Sequence, residues 1–395
     1  MRVTVCVSID VGSTRFTDIE EACLRAAREA ARTALVRSCE RLERSRGSRA
    51  KRARRKGRSR VLLTRAGYVT IRRGRSRRPD GSHYFPLDER LGLAPHHEAS
   101  AAVRRRGVEL ATCHPYREAA RLLSAEVGAR VDHRAVWRWV QADGDQALRE
   151  RAKRVNALFE DGEAPPRPDR PVPGALTVAV DATGIRLTDG TKGSVKLAVA
   201  FTGSEPVGRK GKRRLLRRHV FADLAEVDAF GRHLAWELER AYGAHRIERL
   251  MLLGDGEPWI AGLGQDWLPT ARYQCDWWHL ASKVREFCRA ELHRYPRMLE
   301  RAFARPGGLA RDLRAGRHKG DPEEARLLAG YLDHNASSLY TFTSMGPGRW
   351  LHGSGPVEKH VELQVNRRLK RRGMRWSRRG ARNLLALRLE VIATA

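Results

Sequence analysis

Two strongly apolar segments in the second half of the chain each end in an aspartate. Residues 176–180 (LTVAV) precede Asp181, and residues 250–253 (LMLL) precede Gly254 and Asp255. Runs of this length and composition predict strands, and continuous apolar strands are typical of a sheet covered on both faces. An ionised carboxylate in such a strand is costly to bury alone, and a divalent cation is the simplest partner that satisfies several carboxylates together.

The segments around these aspartates predict an α/β domain. The residue pattern predicts strands at residues 175–187, 194–203, 217–222, 249–255 and 272–276, and helices near residues 224–242 and 258–267. Antiparallel strands followed by alternating strands and helices are typical of this class. Residues 160–174 are rich in proline, glycine and acids and predict a linker in front of the domain.

The chain also carries a large excess of positive charge. Lysine and arginine number 77 against 46 aspartates and glutamates, so the formal net charge is +31. Such a charge needs a polyanionic partner, and arginine presents a planar fork suited to phosphate and guanine. Hydrophobic residues still make up 41% of the chain, which excludes a disordered basic tail as a description of the whole. Nucleic acid is therefore the first partner to consider.

Several classes of protein are disfavoured by what the sequence lacks. No segment approaches the roughly 18 uninterrupted apolar residues of a membrane helix, and the N-terminus lacks the features of a secretory signal. The six cysteines are scattered without a CxxC pair. We therefore expect no disulfide framework, and no structural metal site at Cys275, His279 and Cys288. These features predict a soluble protein of the reducing cytoplasm.

The N-terminal region combines a long helix with a basic arm. Residues 15–45 repeat apolar positions at intervals typical of an amphipathic helix, and residues 41–78 hold one acid, Glu43, among many arginines and lysines. Such a charge run is either a solvated face or tail, or a DNA-binding arm. We favour a basic hairpin along a phosphate backbone, because residues 61–73 alternate like two strands around Ala66-Gly67. The expected DNA contacts are Arg52, Arg54, Arg55, Lys56, Arg58 and Arg60.

Residues 114–141 predict a helix-turn-helix. Gly128 would end a first helix and Asp132 would cap a second, on which Val136, Trp137 and Val140 provide the apolar positions. In this motif the second helix enters the major groove. An ordinary helical hairpin has the same pattern, and the surrounding positive charge favours DNA binding. The expected DNA contacts are His133, Arg134 and Arg138.

Each acid near the predicted strands has an ordinary structural explanation when it is considered alone. Asp181 and Asp255 suit turns, Glu358 suits the first turn of a helix, and Asp276 suits an N-cap. None of these positions by itself indicates catalysis.

The motifs around the acids occur together in a known family. The motifs are VAVDATGI, LLGDGEPWI, QCDWWHL and, at residues 353–377, GSGPVEKHVELQVNRRLKRRGMRWS. In combination they resemble the bacterial insertion-sequence transposases related to the Mutator elements, of the ISLre and ISKra types. The resemblance extends to YFPLDERLGL and HPYREAARLL in the N-terminal half and covers the chain from about residue 15 to its end. The C-terminal motif is the most specific.

The resemblance implies an α/β fold with a defined domain order. We expect a ribonuclease H-like catalytic domain interrupted by an all-α insertion and preceded by a helical DNA-binding region with a helix-turn-helix. The implied domains are residues 1–110 (N-terminal helix and basic arm), 111–159 (helix-turn-helix region), 160–174 (linker), 175–283 with 351–395 (catalytic domain) and 284–350 (helical insertion).

The resemblance also implies a catalytic site. Asp181, Asp255 and Glu358 form its acidic triad, and Asp276 and His279 form its Asp-x-x-His motif. The implied cofactor is Mg²⁺, with Mn²⁺ as a substitute, bound by the three triad carboxylates. Two such ions roughly 3.5–4 Å apart activate the attacking oxygen and stabilise the leaving oxygen of a phosphodiester displacement. We expect His279 to orient or contact a phosphate, because Mg²⁺ prefers oxygen ligands.

A basic segment follows Glu358. It is either a solvated face or a grip on the DNA strand that enters the site, and the neighbouring triad favours the grip. The expected DNA contacts are Arg367, Arg368, Lys370, Arg371, Arg372 and Arg375. Met374 and Trp376 are predicted to anchor the core, although a base-stacking wedge is the alternative.

The expected function is that of a DNA transposase. It would bind the terminal inverted repeats of its element, cleave them and transfer the strands to target DNA, with double-stranded DNA as its partner. A homodimer or larger synaptic complex is expected, without a nucleotide cofactor or a membrane, at the bacterial nucleoid. A non-catalytic DNA-binding regulator and a ribonuclease H-like nuclease remain alternatives. The intact acids argue against the first, and the N-terminal DNA-binding module argues against the second.

Overall fold

The computed structural model describes residues 2–45, 57–208, 213–339 and 353–393. Contacts between residues divide the chain into two compact units, Met1–Ala142 and Asp143–Ala395. Within the described ranges, no helix has the length and apolar character needed to cross a membrane.

The first unit begins with the long helix and the hairpin that the sequence predicts. Its elements are α1 (Phe16–Arg44), the antiparallel strands β1 (Arg58–Thr64) and β2 (Gly67–Arg73), the two-residue strands β3 (Ser76–Arg77) and β4 (His83–Tyr84), and the short helix α2 (Pro86–Arg90). Gly67 has φ +101° in the hairpin turn, a conformation that favours glycine. Apolar residues of α1, the hairpin and α2 pack into one core around Leu62, Val69 and Leu87.

Three further helices follow, α3 (Ala101–Cys113), α4 (Tyr116–Val127) and α5 (His133–Phe159). Gly128 ends α4 at φ 65°, and the Asp132 carboxylate accepts a 2.7 Å hydrogen bond from the Arg134 N–H at the start of α5. Both helix boundaries are therefore confirmed. Val136 and Val140 are buried as predicted, whereas the prediction for Trp137 is wrong. Its side chain is 48% exposed, and Trp139 instead approaches Gly107 of α3.

The second unit contains a five-stranded mixed sheet. Its strands, in chain order, are β5 (Ala175–Arg186), β6 (Lys192–Phe201), β7 (Gly203–Pro206), β8 (Arg213–Leu216), β9 (His219–Asp223), β10 (Arg249–Gly254) and β11 (Ala271–Cys275). Strands β7 and β8 form a separate hairpin, and the others form the sheet in the order β11-β10-β5-β6-β9. The β11-β10-β5 pairs are parallel, and the β5-β6-β9 pairs are antiparallel.

Helices surround the sheet and extend beyond it. They are α6 (Val227–Tyr242), α7 (Pro258–Trp267), α8 (Trp277–Phe287), α9 (Tyr295–Ala304), α10 (Pro306–Arg314), α11 (Pro322–Asn335), α12 (Gly355–His360), α13 (Arg367–Leu369) and α14 (Arg378–Ala393). Leu176, Val178 and Val180 of β5 pack in one core with α6 and α7. A second core joins α8 to α11 and contains Cys275 and Cys288, both of them free thiols.

The segment after α12 widens into a π-helical turn, Val361–Asn366. A π-helical turn leaves carbonyl groups without their usual partners. The guanidinium group of Arg388 donates to the carbonyls of Leu363 and Gln364, at 2.5 and 2.8 Å. Trp376 is buried and its indole N–H donates to the Leu369 carbonyl at 2.9 Å, which confirms it as a core anchor. The end of the chain is thereby fastened to the segment that carries Glu358.

Candidate functional site

The pairing register of β5, β10 and β11 places three aspartates in one row across the sheet. Parallel pairing joins Leu253 to Ala179 and Gly254 to Cys275. Continued past the strand ends, this register places Asp255 beside Asp181 on one side and beside Asp276 on the other. The Asp276 N–H donates to the Gly254 carbonyl at 2.7 Å, which extends the pairing of β10 with β11. Asp181 lies within β5, whereas Asp255 and Asp276 directly follow β10 and β11. Since adjacent strands lie about 4.8 Å apart, this register brings the three aspartates next to one another in one row across the sheet.

Side-chain alternation separates the acid of β5 from the apolar core. Val178 and Val180 point into the core with α6 and α7, so Asp181 points to the opposite face of the sheet. Helix α12, which carries Glu358, contacts β5 and β6. Residues separated by more than 170 positions are thereby brought to one region.

The pKa of Asp181 is affected by the two other acids of the predicted triad. Burial raises the pKa of Asp181, and the charges of Asp255 and Glu358 raise it further. A 2.6 Å hydrogen bond from the Ala182 N–H to Asp181 and the charge of His279 act in the opposite direction. Asp255 and Glu358 therefore both disfavour the charge on Asp181, and a cation held by the carboxylate oxygens would relieve that repulsion.

Asp276 and His279 form a hydrogen-bonded pair beside these carboxylates. Asp276 is fully buried, caps α8 by accepting from the Trp278 N–H, and lies 2.9 Å from His279 Nδ1. Burial opposes ionisation of Asp276, but hydrogen bonds from His279, Ser354 and Trp278 outweigh it and hold the pKa of Asp276 below its usual range. The hydrogen bond with Asp276 raises the pKa of His279, whose side chain is 35% exposed. The hydrogen bond to Asp276 therefore favours the protonated form of the imidazole.

Ser354 joins Glu358 to the Asp276–His279 pair. The Ser354 hydroxyl donates to Glu358 Oε1, and a hydrogen bond from Ser354 lowers the pKa of Asp276. Asp276, His279 and Glu358 each offer one ligand atom, and these atoms lie within 4.8 Å of one another. Glu358 is thus brought next to Asp276 and His279, whereas Asp181 and Asp255 do not belong to this group of ligand atoms. Sequence reasoning missed Ser354, although the GSGP segment before α12 could have indicated it.

The turn that carries Asp255 is held from the helical insertion. The Tyr331 hydroxyl on α11 donates to the Asp255 carbonyl at 2.9 Å, and Asn335 Nδ2 donates to the Gly256 carbonyl at 3.2 Å. Asp255 Oδ1 also accepts from the Glu257 N–H at 3.0 Å. The sequence pattern did not indicate Tyr331 or Asn335.

The predicted DNA contacts of the first unit are only partly exposed. Arg58, Arg134 and Arg138 are exposed, and His133 is half-buried. Arg60 is 8% exposed and pairs with Asp88 at 2.8 Å, which corrects the expectation that its charge faces outward. The reason is local, because Arg60 lies on the buried side of β1. The remaining predictions, Arg52, Arg54, Arg55 and Lys56, lie outside the described residues.

The basic segment after Glu358 is exposed with one exception. The exposed side chains are Arg367, Lys370, Arg371, Arg372 and Arg375. Lys370 Nζ donates to the Thr183 hydroxyl at 2.5 Å, two residues beyond Asp181 on β5. Arg368 is 1% exposed, and its guanidinium carbon lies 5.0 Å from the centre of the Trp376 ring. Packing against this ring corrects the expectation that Arg368 faces DNA.

A further basic element was missed, the β7–β8 hairpin at the side of the sheet. Arg213 and Arg214 are exposed on β8, and Arg218 is exposed just beyond it. Arg213 binds Ser204 and Arg214 pairs with Glu205 within the hairpin. The run RRLLRR in the sequence could have indicated this surface.

Comparison with known proteins identifies relatives of this chain. A family model described as an uncharacterised protein family, UPF0236, matches residues 12–326. A UPF0236 protein of Caldanaerobacter subterraneus subsp. tengcongensis is 21% identical over 322 residues, which are 79% of this chain and 63% of that protein. The chain thus spans less than two thirds of the length of this relative, whose name carries eleven locus designations. The family model includes Asp181, Asp255, Asp276 and His279 and ends before Glu358.

Proposed function

Since the chain belongs to the uncharacterised family UPF0236, we propose one activity for the family and for this protein, that of a DDE-type DNA transposase. The observation that carries the proposal is the register of β5, β10 and β11, which aligns Asp181, Asp255 and Asp276 beside the helix of Glu358. We assign the sheet to a ribonuclease H-like catalytic domain and α4 with the start of α5 to a helix-turn-helix.

The triad residues suit a divalent cation. Asp181, Asp255 and Glu358 offer only oxygen ligands, which Mg²⁺ prefers. The pKa of Asp181 is raised first by burial and further by the charges of Asp255 and Glu358, and a bound cation would offset both effects. The chemistry that Mg²⁺ supplies when bound is activation of the attacking oxygen and charge stabilisation at the leaving oxygen. Asp181 lies on the central strand of the sheet. It would hold the cation together with Asp255 and Glu358.

The protein's own groups orient the substrate. His279, whose pKa is raised by its hydrogen bond to Asp276, would direct its other ring nitrogen at a phosphate oxygen next to the scissile bond. Lys370, beside Thr183 on the strand of Asp181, and the exposed arginines that flank it would bind the backbone of the entering strand. The exposed Arg134 and Arg138 of α5 would recognise the element ends.

The relative from Caldanaerobacter supports a mobile element. Its name carries eleven locus designations. A coding sequence present many times in one genome is expected of an element that copies or moves itself. Joining two ends in one event would require at least two protomers, so we propose a homodimer or larger complex on double-stranded DNA in the nucleoid.

The test is metal-dependent cleavage at the boundaries of the element. The full chain is incubated with Mg²⁺ and DNA that contains the gene and its flanks, and new 3′ ends are mapped by sequencing. Asp181→Asn is the inactive variant. Asp189→Asn is the matched control, because Asp189 lies in the exposed β5–β6 turn. We expect cleavage at both boundaries by the wild type and the control alone. Specific binding without cleavage, in Mg²⁺ and Mn²⁺ alike, would instead indicate a DNA-binding regulator, and cleavage without regard to the boundaries would indicate a nuclease.

A further inference from the structure

Helix α11 of the insertion grips the turn at Asp255 through two side chains. Tyr331 Oη lies 2.9 Å from the Asp255 carbonyl oxygen, and Asn335 Nδ2 lies 3.2 Å from the Gly256 carbonyl oxygen. Both contacts join residues more than 70 positions apart in the sequence. They fix two consecutive carbonyl groups of one turn, so they determine the orientation of the peptide planes on either side of Gly256.

The approach is so close that only glycine fits. A Cβ atom on Gly256 would lie 2.6 Å from Tyr331 Cε2 and 2.9 Å from Asn335 Nδ2, inside van der Waals contact. Gly256 also has φ +93°, which other residues rarely adopt. The turn is therefore shaped to receive these two side chains, rather than merely lying next to them.

Neighbouring side chains, of which Cys275 and Asn335 are buried, restrict the position of Tyr331 itself. Its hydroxyl lies 3.0 Å from Cys275 Sγ at the end of β11, and Lys283 Nζ lies 4.7 Å from the centre of its ring. Asn335 is 1% exposed and also donates to the Tyr331 carbonyl at 3.0 Å. Tyr331 thus connects the end of β11, the turn after β10 and helix α8, the three elements that carry Asp276, Asp255 and His279.

We infer that Tyr331 and Asn335 are positioning residues that set the cation affinity of the site by holding the Asp255 carboxylate in its ligand geometry. This inference rests on the proposed function for the presence of the cation. It gives the helical insertion a role in the site, because helix α11 supplies the contact. Neither side chain needs to touch the cation or the DNA.

The experiment measures Mn²⁺ binding to the full chain by electron paramagnetic resonance, with Mn²⁺ alone as the probe. Tyr331→Phe removes the hydroxyl and keeps the ring. The matched control is Tyr242→Phe, which removes a buried hydroxyl that also donates to backbone carbonyls, those of Ala200 and Arg217, at the other side of the sheet. Asn335→Ala is the second variant, and thermal unfolding checks that each variant is folded.

We expect Tyr331→Phe and Asn335→Ala each to weaken Mn²⁺ binding by about threefold to tenfold, the effect of one lost hydrogen bond. Tyr242→Phe should bind Mn²⁺ like the wild type even if it melts at a lower temperature. Unchanged Mn²⁺ affinity in folded Tyr331→Phe and Asn335→Ala overturns the inference, as does a wild type without a saturable Mn²⁺ site. The proposed function fails separately, if the wild type binds Mn²⁺ but does not cleave the flanking DNA.

Discussion

Removal of the charge of Asp181 should stabilise the protein in the absence of divalent ions. Asp181 lies in register with Asp255 on the neighbouring strand, and its burial, Asp255 and Glu358 all raise its pKa. Two like charges about 5 Å apart repel by about 3 kcal/mol at an effective dielectric constant of about 20, and partial exposure reduces this value to about 1–3 kcal/mol. Asparagine keeps an oxygen for the Ala182 N–H, so Asp181→Asn removes the cost of burying the charge together with the repulsion.

The sign of the pH dependence follows from the raised pKa. A carboxyl group with a higher pKa in the folded state binds its proton more tightly there, so its ionisation destabilises the fold. This cost is absent below 3.8, the ordinary pKa of an aspartate, and complete above the raised pKa of Asp181. Asp181→Asn should therefore match the wild type in strongly acidic buffer and exceed it in stability at pH 7.

The assay is thermal unfolding of the full chain at pH 7 in a chelator and again in Mn²⁺. A gain of about 1–3 kcal/mol corresponds to roughly 2–8 °C for a unit of this size. In Mn²⁺ the wild type should gain stability and the variant should not, since the ion binds only the folded site. Asp189→Asn serves as the exposed control. A lower melting temperature for Asp181→Asn in chelator at pH 7 would refute the repulsion between the acids.

Three further perturbations test other parts of the structure. Glu237→Gln should lower the free energy of unfolding at pH 7, measured with urea, by about 3 kcal/mol. The reason is that hydrogen bonds from a histidine of β9 and an arginine of its own helix outweigh burial and lower the pKa of Glu237 from 4.5 to about 2. The loss of stability should fade as the pH falls from 4.5 towards 2, and a loss independent of pH would contradict this explanation. Gly144→Ala should lower the melting temperature, because the new Cβ would lie 2.5 Å from a Cβ of α14. Gly262 has open space around it, so Gly262→Ala should raise the melting temperature slightly. Equal effects of the two substitutions would exclude close packing as the cause. Arg138→Ala should weaken DNA binding and reduce the slope of log affinity against log salt concentration by about 1, without changing stability. Arg60 is buried, so Arg60→Ala should instead lower the stability of the first unit. Equal slopes for Arg138→Ala and the wild type would show that Arg138 is not part of the DNA interface.

Local sequence patterns determined most of the secondary structure. The helix at residues 15–45, the hairpin around Ala66-Gly67 and the boundaries at Gly128 and Asp132 all agree with the structure. So do the strand that contains Asp181 and the apolar strand that ends just before Asp255. These features depend on interactions within a few residues, such as caps, turns and the alternation of side chains, which a sequence displays directly.

The partners of long side chains were decided only by the tertiary structure. Arg60 and Arg368 have neighbours in the sequence like those of exposed arginines, yet Asp88 and Trp376 hold them in buried positions. Trp137 was predicted to pack and is instead exposed. Burial of such residues depends on which remote element covers them, and no local pattern contains that information.

The site divides in the same way. The sequence by itself determined that Asp181 and Asp255 follow apolar runs, because such runs can be read from neighbouring residues. Only the fold decided that Asp255 falls in register with both Asp181 and Asp276, because register is set by pairing between strands that are distant in the chain. The contact of Tyr331 with the Asp255 turn, across 76 positions, belongs to the same class. Strand ends are local properties, whereas convergence of side chains is a property of packing.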